Sequence, residues 1–238
     1  MNRNRAKIQG LGVDNFSLDE AVDYAYNSGG QIITLNPEMI AYSAKNPYFA
    51  NIIEAAEIVI PDGVGVELGL KILGYNIARI PGIELGKALI IKFSNNNKTV
   101  ALVGAKPEII DLAIKNLKSE IQNINIVYSH DGYFDNEDEI CESIVKSNPD
   151  LVLVALGSPK QEVFISKLKT ELPKSAMIGL GGSFDVWSGV TLRAPKIFQK
   201  LGLEWLYRTI KEPKRFKRIF PTLPLFIIKI FKERLFGK

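Results

Sequence analysis

Short apolar runs alternate along the chain with longer segments of helical periodicity. Six runs have the length and residue types of strands: GQIITLN, EIVIP, KTVALVG, INIVYS, DLVLVAL and SAMIGLG. Their continuous apolar character is typical of strands covered on both faces, as in a parallel sheet. Between them, segments such as PEIIDLAIKNLKSEI place apolar residues at helical spacing. This succession predicts an α/β, Rossmann-like fold with an open, mostly parallel sheet and helices on both faces.

Residues 196–238 have a different pattern, in which apolar positions at helical spacing precede a basic cluster and a short apolar run. The uninterrupted part of that run ends at Lys229 and falls short of the ~20 residues that cross a bilayer. Mixed aromatic, aliphatic and cationic residues are typical of segments that lie on a membrane surface. We therefore predict an α/β domain over 1–195, which would carry any catalytic site, and a helical, basic, membrane-binding appendage over 196–238.

Charge is distributed unevenly along the chain. The net charge is +4, but residues 196–238 contain twelve basic and three acidic residues, so this segment carries +9 and residues 1–195 carry −5. Such asymmetry predicts a tail that meets an anionic surface. Its aliphatic run and its phenylalanines favour a lipid surface, so we expect an anionic membrane as partner and no nucleic acid.

Cysteine and histidine usage limits the chemistry. Cys141 is the single cysteine, which excludes an internal disulfide and a Cys-cluster zinc site and fits a reducing compartment. His130 is the single histidine, and we expect it to be a hydrogen-bonded loop residue. No two aspartates are separated by one residue, so the Asp-x-Asp metal motif of many nucleotide-sugar enzymes is absent. No signal peptide is apparent at the start, which favours a cytoplasmic location.

Polar residues follow several predicted strands at the point where each strand ends. Ligands of open α/β sheets bind at the carboxyl ends of the strands, so these loops are expected to converge. In PDGVG, Asp62 either caps the following helix or acts as a general base on a substrate hydroxyl. Gly63 would let a ligand approach the backbone. In TLNPE, Thr34 and Asn36 carry groups that suit sugar hydroxyls, although a helix cap is the simpler explanation of Asn36.

Two further features could bind a nucleotide diphosphate. The loop GLGGSFDVWSG could hold phosphate with its backbone N–H groups, although it lacks the P-loop ending and the G-x-G-x-x-G spacing. Asp185 in this loop could bind a ribose or sugar hydroxyl, or could cap the turn. Guanidinium groups could stabilise a diphosphate leaving group without a metal, although a solvated or lipid-facing surface explains most of them equally well. The arginines in question are Arg193, Arg208, Arg215 and Arg218.

Seven motifs in the same order resemble the WecG/TagA/CpsF glycosyltransferases: TLNPE, PDGVGV, HDGYF, PDLVLVALGSPKQE, GLGGSFDVWSG, RAPK and GLEWLYRTIKEPKRFKR. The match runs from about residue 8 to residue 218. The resemblance implies an inverting transfer of N-acetylmannosamine from UDP-N-acetylmannosamine (UDP-ManNAc) to the 4-hydroxyl of N-acetylglucosamine on undecaprenyl diphosphate. The β-1,4 product would belong to wall teichoic acid linkage-unit synthesis, and the transfer would need neither a metal nor another cofactor.

The resemblance also implies roles for individual residues and for the appendage. Asp62 matches the proposed base of the family, and Thr34 and Asn36 match residues of the same pocket. Gln161, Glu162 and Asp185 fall in motifs assigned to the nucleotide-sugar end. The resemblance does not say which arginine contacts the diphosphate, and we expect Arg215 and Arg208, ahead of Arg193 and Arg218. The appendage resembles an element that docks on the cytoplasmic face of the membrane and helps to close the site over the donor.

Other interpretations remain open at this point. A member of the same family could use a different donor, such as a mannosaminuronic acid or glucose nucleotide. A non-catalytic nucleotide-binding module tethered to a membrane would share the sheet and the tail but would not need Asp62. The apolar surface of the appendage could also support a small homo-oligomer away from the membrane.

Overall fold

A computed structural model describes residues 4–200, 202–211 and 216–237 of the chain, apart from the side chains of residues 200, 208, 211 and 216–221. Two short strands, β1 (Ala6–Ile8) and β2 (Leu11–Val13), form an antiparallel hairpin at the N-terminal end. The remaining six form one parallel sheet in the order β4-β3-β8-β7-β5-β6. Their bounds are β3 Gly30–Leu35, β4 Ile58–Pro61, β5 Thr99–Gly104, β6 Asn125–His130, β7 Leu151–Ala155 and β8 Ala176–Gly179.

All six strands of the sheet coincide with the predicted runs, which confirms the α/β fold. The expectation that each strand is covered on both faces is wrong for β6, whose residues alternate between exposed and half-buried. β6 lies at an edge of the sheet, whereas β4 at the opposite edge is fully buried and is contacted by β2 of the hairpin. The hairpin of β1 and β2 was not predicted, because three-residue strands are too short to show a clear alternation.

Helices cover both faces of the sheet, as predicted. On β4, Ile58 and Ile60 join one buried cluster and Val59 joins the other, since neighbouring strand residues point to opposite faces. The helices on the first face are α1 (Leu18–Ser28), α5 (Gly82–Asn95), α6 (Pro107–Glu120) and α9 (Ser183–Trp187). Those on the second are α2 (Pro37–Ser43), α3 (Pro47–Glu54), α4 (Val64–Leu73), α7 (Glu137–Ser147) and α8 (Lys160–Glu171).

The C-terminal segment forms α10 (Lys196–Lys200), α11 (Glu204–Lys211) and α12 (Phe216–Phe236). Helix α12 packs against α2 and α4, and its Phe226 and Ile230 are buried in the same cluster as Val66 and Leu70 of α4. Within the part of the chain that the structure describes, no helix is long and apolar enough to span a membrane. Helix α12 thus contributes side chains to the core on one face of the sheet. The division of the chain into two domains at residue 195 remains a prediction.

Candidate functional site

The carboxyl ends of β3, β4 and β8 open onto a pocket with a volume of about 310 Å³. Four residues that the sequence predicted for a site lie together in its lining: Thr34, Asn36, Asp62 and Gly63. The C-terminal segment supplies another part of the lining through Trp205 of α11 and Leu223 of α12. The pocket therefore joins residues from both of the predicted domains.

Asp62 follows β4 directly and is fixed by two hydrogen bonds. Its backbone N–H donates to the carbonyl oxygen of Leu35 on the neighbouring strand at 3.0 Å. Its Oδ1 accepts from the backbone N–H of Gly82 at 2.6 Å, where α5 begins. The N-cap of α4 is Gly63, so the suggestion that Asp62 caps the helix following it is wrong. The carboxylate lies instead at the N-terminus of α5, where the helix dipole favours a negative charge.

Asn36 has a structural role as well as a place in the pocket. Its Oδ1 accepts a hydrogen bond from the backbone N–H of Met39 at 3.0 Å and so caps α2, which confirms the simpler explanation of this residue. The side-chain nitrogen is then the group that can donate to a sugar hydroxyl. Thr34 lies two residues earlier, on β3. A Cβ added at Gly82 would come within 3.2 Å of Cγ2 of Thr34. A larger residue at position 82 would press on Thr34.

Glycines of α4 allow α12 to approach the pocket closely. A Cβ added at Gly65 would lie 2.8 Å from Cγ of Pro37 and 2.9 Å from Cδ1 of Leu223. One turn further on, a Cβ at Gly69 would lie 3.0 Å from Cδ1 of Ile8 and 3.1 Å from the ring of Phe226. Because both positions lack a side chain, α12 packs directly against the backbone of α4.

Arg79 is a pocket residue that the sequence analysis did not identify. Its Nη2 donates to the carbonyl oxygen of Gln199 at 2.7 Å, and its Nε lies 3.6 Å from Oε2 of Glu67. It belongs to the loop between α4 and α5 and does not follow a strand, so the rule that ligands bind at strand ends does not point to it. Only the proline and glycine that follow it, in ARIPG, mark the loop as a turn region.

A second cleft of about 520 Å³ adjoins the pocket, and Arg79, Pro81 and Glu204 line both. Arg193, which the sequence predicted for the diphosphate, lines this cleft. Its Nη2 lies 2.6 Å from Oε1 of Glu84, and its Nε lies 3.5 Å from Oε1 of Glu204. The two arginines of the cleft, Arg79 and Arg193, are thus paired with carboxylates.

Gln161 and Glu162 do not line the pocket. Both are buried in the first turn of α8. Gln161 accepts from the backbone N–H of Gly181 at 3.0 Å through Oε1 and donates to Oε1 of Glu162 at 2.8 Å through Nε2. The pair therefore links the loops that follow β7 and β8. Burial raises the pKa of the Glu162 carboxyl above its ordinary value. Their assignment to the nucleotide-sugar end remains a prediction.

The other predicted residues stand as follows. Asp185 is half-buried in the first turn of α9 and does not line the pocket, so its role remains a prediction. The side chains of Arg208 and Arg218, and the whole of Arg215, lie outside the described residues. His130 is the last residue of β6 and not a loop residue, so that part of the expectation is wrong. It is hydrogen-bonded, as expected, with Nδ1 lying 2.9 Å from the carbonyl oxygen of Asp131.

No group of three or more histidine, cysteine, aspartate or glutamate residues suitable for a metal ion is found among the described residues. Cys141 is a free thiol whose pKa is raised to about 11 by burial. A thiol of that kind is almost fully protonated near neutral pH and is a poor nucleophile. Neither observation brings a further reactive group to the pocket.

Comparison with known proteins defines the class. A model of glycosyl transferases matches residues 6–238, so the chain that carries this sheet and pocket is a glycosyltransferase. More narrowly, it belongs to the WecG/TagA/CpsF family, as the motifs of the sequence indicated.

Three relatives carry the same description, N-acetylglucosaminyldiphosphoundecaprenol N-acetyl-β-D-mannosaminyltransferase. The protein of Bacillus spizizenii is 37% identical over 208 residues, which cover 87% of this chain and 80% of the relative. That of Bacillus subtilis strain 168 is 35% identical over 226 residues, covering 92% and 88%. That of Staphylococcus aureus strain MW2 is 35% identical over 242 residues, covering 97% and 94%. The similarity therefore extends through the C-terminal helices.

Proposed function

We propose that this chain transfers N-acetylmannosamine from UDP-ManNAc to the 4-hydroxyl of N-acetylglucosamine on undecaprenyl diphosphate, with inversion to a β-1,4 linkage. The observation that carries the proposal is the convergence of Thr34, Asn36 and Asp62 in one pocket at the ends of neighbouring strands. The substrates are those of the relatives' description, with the UDP-linked donor and the linkage added from the family resemblance. The product would be an intermediate of wall teichoic acid linkage-unit synthesis.

Asp62 is the proposed general base. The acceptor hydroxyl oxygen attacks the anomeric carbon of the donor, the bond from that carbon to the phosphate oxygen breaks, and the hydroxyl proton passes to the Asp62 carboxylate. A rigid mount matters because a proton acceptor works only within hydrogen-bond reach of the hydroxyl. The bond from Gly82 N–H to Oδ1 supports this role, since it orients the carboxylate. Thr34 and the Asn36 amide are proposed to orient sugar hydroxyls beside it.

Arginines are proposed to stabilise the departing UDP without a metal. Arg79 and Arg193 line the joined clefts, where they are paired with Glu67, Glu84 and Glu204. A diphosphate entering the cleft would compete with these carboxylates, and its two phosphates suit bidentate guanidinium pairing. Arg208 and Arg215 keep their proposed place at the same diphosphate, together with Arg218.

The outer face of α12 is proposed to lie on the cytoplasmic surface of an anionic membrane, where the lipid-linked acceptor is concentrated. This face exposes Leu225, Ile228, Phe231 and Leu235, with Lys229 and Lys232 beside them. Each lysine near an anionic leaflet contributes about 1 kcal/mol, and the apolar side chains add to it. Co-sedimentation with phosphatidylglycerol vesicles tests this part. The double substitution Leu225→Ser/Leu235→Ser should abolish it, and equal sedimentation of both chains would contradict it.

The transferase proposal is tested by UDP release in EDTA with UDP-ManNAc and a lipid-diphosphate N-acetylglucosamine acceptor. The native chain should turn over, and Asp62→Asn should lose about 10²- to 10⁴-fold in kcat, the range of a general base. Asparagine can still accept the hydrogen bond from Gly82, so the fold should be retained. Asp111→Asn, which changes an exposed aspartate on α6, is the control. Undiminished turnover in Asp62→Asn would refute the role of Asp62, and an inactive native chain would refute the choice of substrates.

A further inference from the structure

The β1–β2 turn binds the side chain of Glu233 near the end of α12. Ile8 and Leu11 are paired, so Gln9 and Gly10 form a two-residue turn, and both have positive φ values, of 49° and 83°. This is the turn geometry that matches the twist of a hairpin. The backbone N–H of Gln9 donates to both carboxylate oxygens of Glu233 at 3.0 Å, and its Nε2 donates to Oε2 at 2.6 Å.

Two other contacts fix the same helix on the same side. Phe226 and Ile230 are buried against α4, where the absence of a side chain at Gly69 lets the Phe226 ring approach. Near the C-terminal end of α12, Nη1 of Arg234 donates to the carbonyl oxygen of Leu73 at 3.2 Å. Glu233 and Arg234 both contribute a charged group to these hydrogen bonds, but Glu233 accepts from both the backbone and the side chain of Gln9, and charge-assisted hydrogen bonds are about twice as strong as neutral ones.

The other end of α12 forms part of the pocket. Thr222 and Leu223 line it beside Asp62, and Leu223 lies against the backbone of Gly65. Ten residues of helix separate Leu223 from Glu233, a length of about 15 Å at 1.5 Å per residue. Glu233 therefore lies too far along α12 to touch a ligand in the pocket, but it belongs to the rigid element that places Leu223.

We propose that Glu233, held by the β1–β2 turn, is a positioning residue that sets Leu223 of α12 as a wall of the sugar-acceptor part of the pocket. The carboxylate acts through the helix and not on the substrate. The apolar outer face of α12 lies on the side opposite these contacts. The same helix therefore connects the surface proposed to contact the lipid with the pocket proposed to hold the acceptor sugar. The kinetic part of this inference rests on the proposed function.

The test compares the native chain with Glu233→Ala and with Glu233→Gln, which keeps the size of the side chain but removes its charge. Glu142→Ala, which removes an exposed carboxylate from α7, is the matched control. Hydrogen–deuterium exchange is measured on peptides covering residues 222–230, and steady-state kinetics are measured against donor and acceptor separately. The exchange measurement needs no sugar substrate.

We expect faster exchange in residues 222–230 of both Glu233 variants and unchanged exchange in Glu142→Ala. The acceptor KM should rise about tenfold in Glu233→Ala, the factor that corresponds to about 1.4 kcal/mol. The donor KM should stay within about twofold, a split that general destabilisation would not produce. Unchanged exchange in residues 222–230, or an equal rise in the two KM values, would overturn the inference. Failure of the native chain to transfer N-acetylmannosamine would instead refute the proposed function, and the exchange result would still decide the role of Glu233.

Discussion

Gly69 offers a direct test of how closely α12 packs on α4. In Gly69→Ala the new Cβ would lie 3.0 Å from Cδ1 of Ile8 and 3.1–3.3 Å from two ring atoms of Phe226. Both side chains are buried, but Cδ1 is the terminal atom of Ile8 and can shift slightly, whereas the rigid Phe226 ring must move with its helix. Overpacking of this kind costs about 1–3 kcal/mol, and alanine in place of a mid-helix glycine returns about 1 kcal/mol.

The net expectation is a loss of about 1 kcal/mol in the free energy of unfolding, or a Tm lower by about 2–4 °C for a chain of this length. Urea denaturation and thermal scans measure it. The decisive comparison repeats the substitution in a Phe226→Leu background, where the crowding is relieved and only the gain in helix propensity remains. The effect of the substitution should therefore differ by about 2 kcal/mol between the two backgrounds, from a loss of about 1 kcal/mol to a gain of about 1 kcal/mol. Equal effects in both would refute the close packing of α12 on α4.

Two other predictions separate structural from functional roles. Asn36→Ala removes the α2 cap and should lower the free energy of unfolding by about 1 kcal/mol. Asn36→Asp keeps the cap but removes the amide donor, so its urea denaturation curve should be near native and its transferase activity low. Full activity in Asn36→Asp would contradict the substrate role of Asn36. Burial raises the pKa of Glu162 in the folded chain above its ordinary value of 4.5. The contribution of Glu162 to the free energy of unfolding is therefore complete below pH 4.5 and is lost as the pH rises through the raised pKa. Glu162→Gln should remove this pH-dependent loss of stability, which urea midpoints measured from pH 4 to pH 8 would show. If the midpoints of Glu162→Gln changed with pH as those of the native chain do, the role of Glu162 would be refuted.

The sheet and the strand-end part of the pocket could be predicted because both depend on local sequence. Each central strand is a short apolar run, and parallel strands bring their carboxyl ends to one edge, so Thr34, Asn36 and Asp62 could be grouped before their positions were known. The carboxylate of Asp62 was correctly expected at a strand end, but its partner was not. Gly82 lies 20 residues further along the chain, and nothing in the local sequence indicates that α5 begins beside β4.

The rest of the pocket depends on tertiary packing. Arg79 comes from a loop without periodicity, and Leu223 reaches the pocket only because α12 crosses α4 at two glycines. Pro221 and Pro224 both lie within α12, although proline normally interrupts a helix. The packing of α12 against the sheet domain compensates for the backbone hydrogen bonds that prolines remove from a helix. Local helix propensity therefore does not predict that the C-terminal segment packs into the core.

The hydrogen bonds between Gln9 and Glu233 join residues 224 positions apart in the chain. Contacts of such long sequence separation form late in folding, because the intervening chain must first become ordered. During synthesis the hairpin and the sheet emerge well before α12, so the partly made protein has the strand-end residues of its pocket without the wall formed by Leu223. We therefore expect acceptor binding to be acquired only after α12 has been synthesised. A ribosome-stalled chain that lacks α12 should show an intact sheet that cannot yet hold the acceptor sugar.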